Sequence, residues 1–325
     1  MKILVTGSAG HLGEALIKVL GRDYEVVGVD LLPSPFTRIV GDLADQTVVE
    51  AAMQGVDIVL HAATLHKPHV VTHSEQDFVS ANVSATLNLL QAASRHQVKS
   101  FIFTSTTSTF GDAMIPEPEA PATWITEEVM PIPKNIYGVT KTAAEDLCKL
   151  YARNHGLPCL VLRTSRFFLE KDDNPARRGK YEDDNIKVNE LLVRRVDLED
   201  IVEAHRLAML KAPEIGYSKY IISATSPFQP EDRLALMKDA GTVVEKYYPS
   251  FREVFAQKNW QMFPTFGRVY VNEKARRELG WKPAYDFGTA LAAIAEGKDF
   301  RSPLARAVGI KGYHDQQFDE GPYPV

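Results

Sequence analysis

The stretch Thr6-Gly7-Ser8-Ala9-Gly10-His11-Leu12-Gly13 decides how this chain folds. It joins Lys2-Ile3-Leu4-Val5, a short β-prone run, to a segment in which Leu12, Leu16, Val19 and Leu20 recur at helical spacing until Gly21 stops it. Glycines at the first, fourth and seventh positions let the backbone turn tightly and approach a pyrophosphate, whose charge then faces the helix N-terminus. Gly7, Gly10, His11, Leu12 and Gly13 are therefore candidate dinucleotide contacts. Asp30, seventeen residues after Gly13, closes the next strand, where an acidic side chain accepts hydrogen bonds from an adenosine ribose. Its charge repels a 2′-phosphate, and the neighbouring Leu31 and Leu32 supply no arginine to attract one, so NAD is expected rather than NADP.

Working outward, short apolar runs predict strands over 2–6, 25–29, 38–40, 57–60, 100–104 and 159–162, separated by segments of helical period. That alternation predicts an α/β fold, a doubly wound parallel Rossmann sheet. Residues 1–165 form the expected NAD-binding domain. Residues 166–325 form a smaller, discontinuous C-terminal substrate lobe, with about 196–224 returning to the first domain. Five prolines between Gly111 and Pro133 predict a long loop. Beyond it come a polar stretch from Glu170 to Glu190, helices near 198–210, 273–279 and 287–296, and a strand near 220–223. The tail from Arg301, ending Gly321-Pro322-Tyr323-Pro324-Val325, shows no clear helical period; it either packs over the lobe or reaches a partner subunit.

The 325 residues are 45% hydrophobic and 24% charged, the composition of an ordinary globular protein. No uninterrupted apolar run reaches the ~18 residues of a membrane span. A net charge of −5 provides no cationic field for a nucleic acid or an anionic bilayer, so neither is an expected partner. The N-terminus has no signal-peptide pattern, and Cys148 and Cys159 have no disulfide or metal-ligand spacing. Two buried thiols in a cytoplasmic protein are the reading.

Candidate chemistry lies further along. Gly41-Asp42-Leu43 and His61-Ala62-Ala63 follow the third and fourth strands, where ligands of such sheets bind. Tyr137 and Lys141 lie four residues apart on a predicted helix, hence on one face. A tyrosine ionises near pH 10, so serving as a general base at neutral pH requires a cation, which Lys141 can be. The hydroxyl run Thr104-Ser105-Thr106-Thr107-Ser108-Thr109 leaves the fifth strand, placed to orient a substrate alcohol during hydride transfer.

Together with Asn82, Leu162-Arg163, Val196 to Ile201 and Lys274 to Pro283, these motifs resemble the extended short-chain dehydrogenases, the NAD-dependent epimerase/dehydratase group, over nearly the whole chain. The resemblance implies Thr106 as the catalytic Ser/Thr, Tyr137 as base, and Lys141 as the residue that holds the nicotinamide ribose and lowers the tyrosine pKa. Asp42 and Leu43 would contact adenine, and Leu31, His61, Ala62, Ala63, Asn82 and Thr104 would complete the cofactor site. It implies a sugar or nucleotide-sugar substrate, and a homodimer formed through the Tyr137 helix and the helix near Asn82.

Departures from the pattern bear on the reaction. Dehydratases of the group carry acidic residues just after the catalytic Thr; here Thr107 and Ser108 stand there, which disfavours dehydration. Arg166 replaces an asparagine usual in the epimerases, and only 37 residues separate Arg163 from Asp200, which is short for gripping a nucleotide diphosphate. Uronate dehydrogenases of the superfamily have a similarly abbreviated region. Thr64, His66, Thr107, Ser108, Ser165 and Arg166 are the expected substrate contacts, and Arg166, Arg177 or Arg178 can grip a carboxylate. Epimerase, with nucleotide-sugar 4-epimerase as one form, and net dehydrogenase share all these residues. A non-catalytic dinucleotide sensor would lose Tyr137 and Lys141, and both are present. No metal is expected: Pro68 breaks the helix that would align His66, His69 and His73. Glu182-Asp183-Asp184 reads as a solvated loop.

Overall fold

The computed structural model describes residues 1–312 and Phe318. Its strands are β1 (Lys2–Thr6), β2 (Glu25–Asp30), β3 (Ile39–Val40), β4 (Ile58–His61), β5 (Ser100–Thr106), β6 (Thr123–Ile125), β7 (Cys159–Thr164), β8 (Tyr217–Ile222) and β9 (Arg268–Tyr270). Seven of them form one sheet in the order β3-β2-β1-β4-β5-β7-β8, with every pair parallel. The chain reverses direction across the sheet after β3, so β1 and β4 flank the switch point at which ligands of such sheets bind.

The two-residue period of the strands builds two cores. Ile3, Val5, Ile58, Leu60, Ile102, Leu160 and Leu162 face the helices His11–Leu20 and Leu198–Ile215. Leu4, Val27, Val29, Val59, Phe101, Phe103 and Val161 face the helices Gln46–Ala52, Ala85–Arg95 and Ile136–His155. Burial on both faces is why the central strands are nearly continuous in apolar residues. Cys148 and Cys159 are both free and buried in the second core.

A third core, including Ile186, Leu192, Phe251, Phe255, Phe266 and Phe287, belongs to the second half of the chain. Trp281, fully buried, locks that half onto the sheet: its indole N–H donates to the Asp200 carbonyl at 2.9 Å, and the Asp200 carboxylate accepts the N–H groups of Ala284 and Tyr285.

Several elements differ from the sequence reading. Four strands run one or two residues further at their C-terminal ends, because parallel pairing continues to Asp30, His61, Thr106 and Thr164. The late strand begins at Tyr217, not 220, and supplies a seventh member of the sheet. The proline-rich loop contains β6, paired in parallel with β9. The polar stretch 170–190 holds the helices Pro175–Lys180 and Asp183–Leu191, with Glu170, Asp172, Lys187 and Glu190 buried within it, so Glu182-Asp183-Asp184 is not a solvated loop. Glu182 precedes the second of these helices, its carboxylate accepting the Trp260 indole N–H, and Asp183 and Asp184 form its first turn. The tail contains a helix, Pro303–Val308, and the rest of that segment, 313–317 and 319–325, lies outside the described residues. Among the described residues no helix is long and apolar enough to cross a membrane.

Candidate active site

The glycine turn divides its labour. Gly7 has φ +73° and packs so closely on the end of β4 that a Cβ would stand 2.8 Å from the Ala63 nitrogen. Gly13 lies against the turn itself, where a Cβ would fall 2.0 Å from the Gly7 carbonyl oxygen. Gly10 differs: it is exposed at the helix N-terminus, and a Cβ would meet only the Gly7 oxygen at 3.3 Å. Its missing side chain therefore leaves room outside the protein, over the first-turn N–H groups, where a pyrophosphate would lie. Two carboxylates near that helix end already have side-chain partners. Glu14 pairs with Lys18 and Lys311, and Glu170 with His11 at 2.7 Å. Burial alone would raise the Glu170 pKa, and the His11 contact together with backbone hydrogen bonds outweighs it. The residues fit a dinucleotide. Gly13→Ala forces backbone against backbone and is expected to cost about 1–3 kcal/mol, with weakened dinucleotide binding; a parent-like urea midpoint would show that the packing is looser than described.

Asp30 pins this turn. One carboxylate oxygen accepts the Ala9 N–H and the other the Leu32 N–H, both at 2.9 Å, and each keeps a lone pair for a ribose. Leu31 is exposed beside it. Asp42 is exposed and accepts the Ala44 N–H, whereas the Leu43 side chain is buried in the core, leaving only its backbone to a ligand. Leu12 likewise offers only backbone.

Three expected cofactor side chains prove to be internal. His61 is fully buried, bridging Thr6 at 2.7 Å and Thr86 at 2.9 Å, and burial pulls its pKa down to about 3, so it is a neutral strut between β1 and a helix. The Ala62 and Ala63 N–H groups also donate to Thr6 Oγ1. The Asn82 side chain lies in a π-helical turn, Val79–Ser84. It accepts from Thr64 and the Leu65 N–H and donates to the Leu65 carbonyl and Thr140, tying the β4 loop to the Tyr137 helix. The Thr104 hydroxyl is bonded to His205 Nε2 at 2.8 Å; the other ring nitrogen meets the Ile201 carbonyl, so Nδ1 donates and Nε2 accepts.

Thr106, Tyr137 and Lys141 converge. Asn135 caps the Tyr137 helix through the Gly138 N–H, and Gly138 lets that helix start pack on Pro133 and the Ser108 carbonyl. Burial pushes the Tyr137 phenol up to about 12, and the neighbouring Thr106 hydroxyl offsets only part of that. Lys141 Nζ donates to the Thr104 carbonyl at 2.7 Å and stands 4.0 Å from the Phe103 ring centroid. Burial pulls its pKa down to about 7, opposed chiefly by Glu145. In the protein alone the Lys141 amine is anchored on β5, and burial dominates the phenol.

The expected substrate residues separate. Thr107 is buried, Ser108 half-buried, and the Ser108 N–H donates to Thr106 Oγ1. Ser165 follows Thr164, the register partner of Thr106, and its buried hydroxyl has no partner among the described residues. His66 opens the 3₁₀ turn Lys67–Val71, its ring 4.5 Å from that of His69, with His69 5.2 Å from His73. Arg166 is a correction. Its guanidinium is paired with Asp172 and Asp173 and lies 3.5 Å from Glu190, so its charge is spent inside the lobe and not on a ligand. Arg177 joins the same knot, and Arg178 donates to the Asp172 carbonyl. Missed from the sequence were Glu145, on the Tyr137–Lys141 face at the next four-residue step, and His205. The spacing could have revealed the first; only the fold reveals the second.

The sequence profile of the NAD dependent epimerase/dehydratase family matches residues 3–217. The chain belongs to this family. The epimerase/dehydratase-family chain is 30% identical over 185 residues to the uncharacterized UDP-glucose epimerase YtcB of Bacillus subtilis, a match that spans 50% of this chain and about half, 55%, of that relative. It is 30% identical over 171 residues to L-arabinose 1-dehydrogenase (NAD(P)(+)) of Haloferax volcanii, covering 50% of this chain and 65% of that one. Among solved structures it is similar to a short-chain dehydrogenase/reductase superfamily protein from Agrobacterium tumefaciens with bound NAD. There the TM-score is 0.66 at 22% identity, covering 94% of this chain and 97% of that one. It is also similar to UDP-glucuronic acid 4-epimerase from Bacillus cereus in complex with NAD, with a TM-score of 0.61 at 22% identity, covering 94% and 99%. These structural likenesses show the fold.

Proposed function

We propose that this protein is an NAD-dependent oxidoreductase or epimerase acting on a hydroxyl-bearing carbon of a sugar or sugar-derived substrate, with Tyr137 as the base. The observation that carries the reading is the Thr106 hydroxyl beside the buried Tyr137 phenol at the C-terminal edge of the sheet, with Lys141 one helical turn along. Family membership and the sugar-directed names of the relatives supply the substrate class. Bound NAD would supply the hydride acceptor and a positive charge near the phenol. Thr106 Oγ orients the substrate hydroxyl, and Tyr137 Oη accepts its proton as the carbon is oxidised. Lys141, when protonated, stabilises the phenolate that must form first. The hydroxyls of Thr107 and Ser108 supply no acid for a departing hydroxide, which separates this reading from a dehydratase.

A panel of free sugars, sugar acids and nucleotide sugars with NAD tests the reading. Net NADH marks a dehydrogenase, and an epimer without net NADH an epimerase. Turnover that needs no dinucleotide overturns both. The Asp30 assignment carries its own expectation. Asp30→Ala should weaken NAD binding about tenfold, a loss of ~1.4 kcal/mol, and narrow the margin over NADP. Tighter NADP than NAD binding in the parent protein, by calorimetric titration, would show the ribose assignment to be wrong.

A further inference from the structure

Below the Tyr137–Lys141 pair lies a buried ionic junction that the proposed chemistry does not use. Tyr137, Lys141 and Glu145 succeed one another at four-residue steps on one face of the helix Ile136–His155. Glu145 is fully buried and accepts four hydrogen bonds from three adjacent strands. Ser105 of β5 donates its hydroxyl at 2.6 Å; Arg163 of β7 donates Nε at 2.9 Å and Nη2 at 2.6 Å; Lys219 of β8 donates Nζ at 2.8 Å. Ser105 lies between Thr104, whose carbonyl holds Lys141, and Thr106, whose hydroxyl neighbours the Tyr137 phenol. One carboxylate thus fixes the helix to the strand that carries both partners of the catalytic pair.

We propose that Glu145 is the positioning residue of the Tyr137–Lys141 pair: it sets the height of the helix against β5 and supplies the negative charge that keeps Lys141 an ammonium. The inference rests on the proposed role of Tyr137 and Lys141.

The groups that face Lys141 leave Glu145 as its source of negative charge. On its own helix stand Tyr137, un-ionised, and Cys148, whose thiol burial holds neutral. From β4 comes His61, neutral because burial and the Lys141 charge both depress its pKa. From β5 come the Thr104 carbonyl and the Phe103 ring. Arg163 of β7 and Lys219 of β8, both cations, reach the Glu145 carboxylate itself, and burial keeps the Tyr217 phenol of β8 protonated. Burial alone pulls the Lys141 pKa down, and Glu145 opposes it. Arg163 and Lys219 compete with Lys141 for the same carboxylate.

The test follows the titration of Lys141 in the full chain by NMR of ε-carbon-labelled lysine, with the resonance assigned from Lys141→Arg. Glu145→Gln should move the Lys141 midpoint down by about one pH unit or more, and Glu145→Asp should restore most of it although both variants disturb the hydrogen bonds. If Glu145→Gln does not fold, Lys219→Met carries the test with the opposite sign: removing a competing cation should raise the midpoint. A midpoint that stays put in every folded variant overturns the proposal and leaves Glu145 a structural brace. With any substrate that turns over, the alkaline limb of kcat/KM should move with Lys141, whereas a uniform loss across pH counts against it. The NMR reading needs no substrate, so its failure is distinct from a failure of the Tyr137 assignment, which Tyr137→Phe decides.

Discussion

Tyr137→Phe should lower kcat by about 10²–10⁴-fold, the range a positioned general base contributes, while NAD binding stays within a few-fold of the parent. The substitution removes one oxygen from a residue 7% exposed, so packing changes little. It removes the phenol that neighbours the Thr106 hydroxyl and leaves Lys141 on the Thr104 carbonyl. The glycine turn that would take the pyrophosphate lies on β1 and its helix and does not contain Tyr137. Stopped-flow or steady-state rates set beside a calorimetric NAD titration check both halves. A variant that turns over at the parental rate removes Tyr137 from the chemistry.

Glu190→Ala should destabilise the protein by about 3–5 kcal/mol, the cost of breaking a buried ion pair from one side. Glu190 is fully buried, and one of its oxygens lies 2.5 Å from Arg194, 3.5 Å from Arg166 and 3.7 Å from Arg177, while the other is 2.9 Å from Arg195. Without it four guanidinium groups face one another with Asp172 and Asp173 as remaining counter-charges. The pH dependence has a definite sign. Burial would raise the Glu190 pKa, but Arg194, Arg166, Arg195 and Arg177 together hold it well below the ordinary 4.5. Asp173, held down chiefly by Arg166 and Lys67 against its own burial, behaves likewise. A carboxylate whose folded pKa is depressed contributes stability that is fully present above its unfolded value and lost as pH falls through the folded one. The gap between parent and variant in urea midpoint should therefore be widest at neutral pH and shrink below about pH 4.5. A gap that stays constant down to about pH 3 would mean that lost packing, not charge, sets the cost.

The dinucleotide half was largely legible in the sequence because its signals are local. Leu12, Leu16 and Leu20 fix one helix face, Gly7 and Gly13 sit where the backbone admits nothing larger, and the β4, β5 and β7 runs are apolar on both faces. Convergence of Tyr137 with Thr106 followed from the order of motifs along such a sheet. What stayed hidden depends on contacts between distant segments. β6 and β9 are three residues each and 143 positions apart from Ile125 to Arg268, too short to carry a period of their own. Arg166 read as a free cation because Asp172, Asp173 and Glu190 meet it only when the end of β7 packs on the helix Asp183–Leu191. His61 read as a cofactor contact because it ends a strand, yet its imidazole is consumed by Thr6 and Thr86. Glu145 was readable by spacing, but its meaning lies in three strands that arrive from elsewhere in the chain.

The proposed chemistry moves a hydride, not a proton, at the reacting carbon of a sugar. Deuterium placed on that carbon of any substrate that turns over tests it most directly, with products read by NMR. The label should appear in NADH, for net oxidation, or remain on the inverted carbon of an epimer. Loss of the label to solvent during turnover would contradict it.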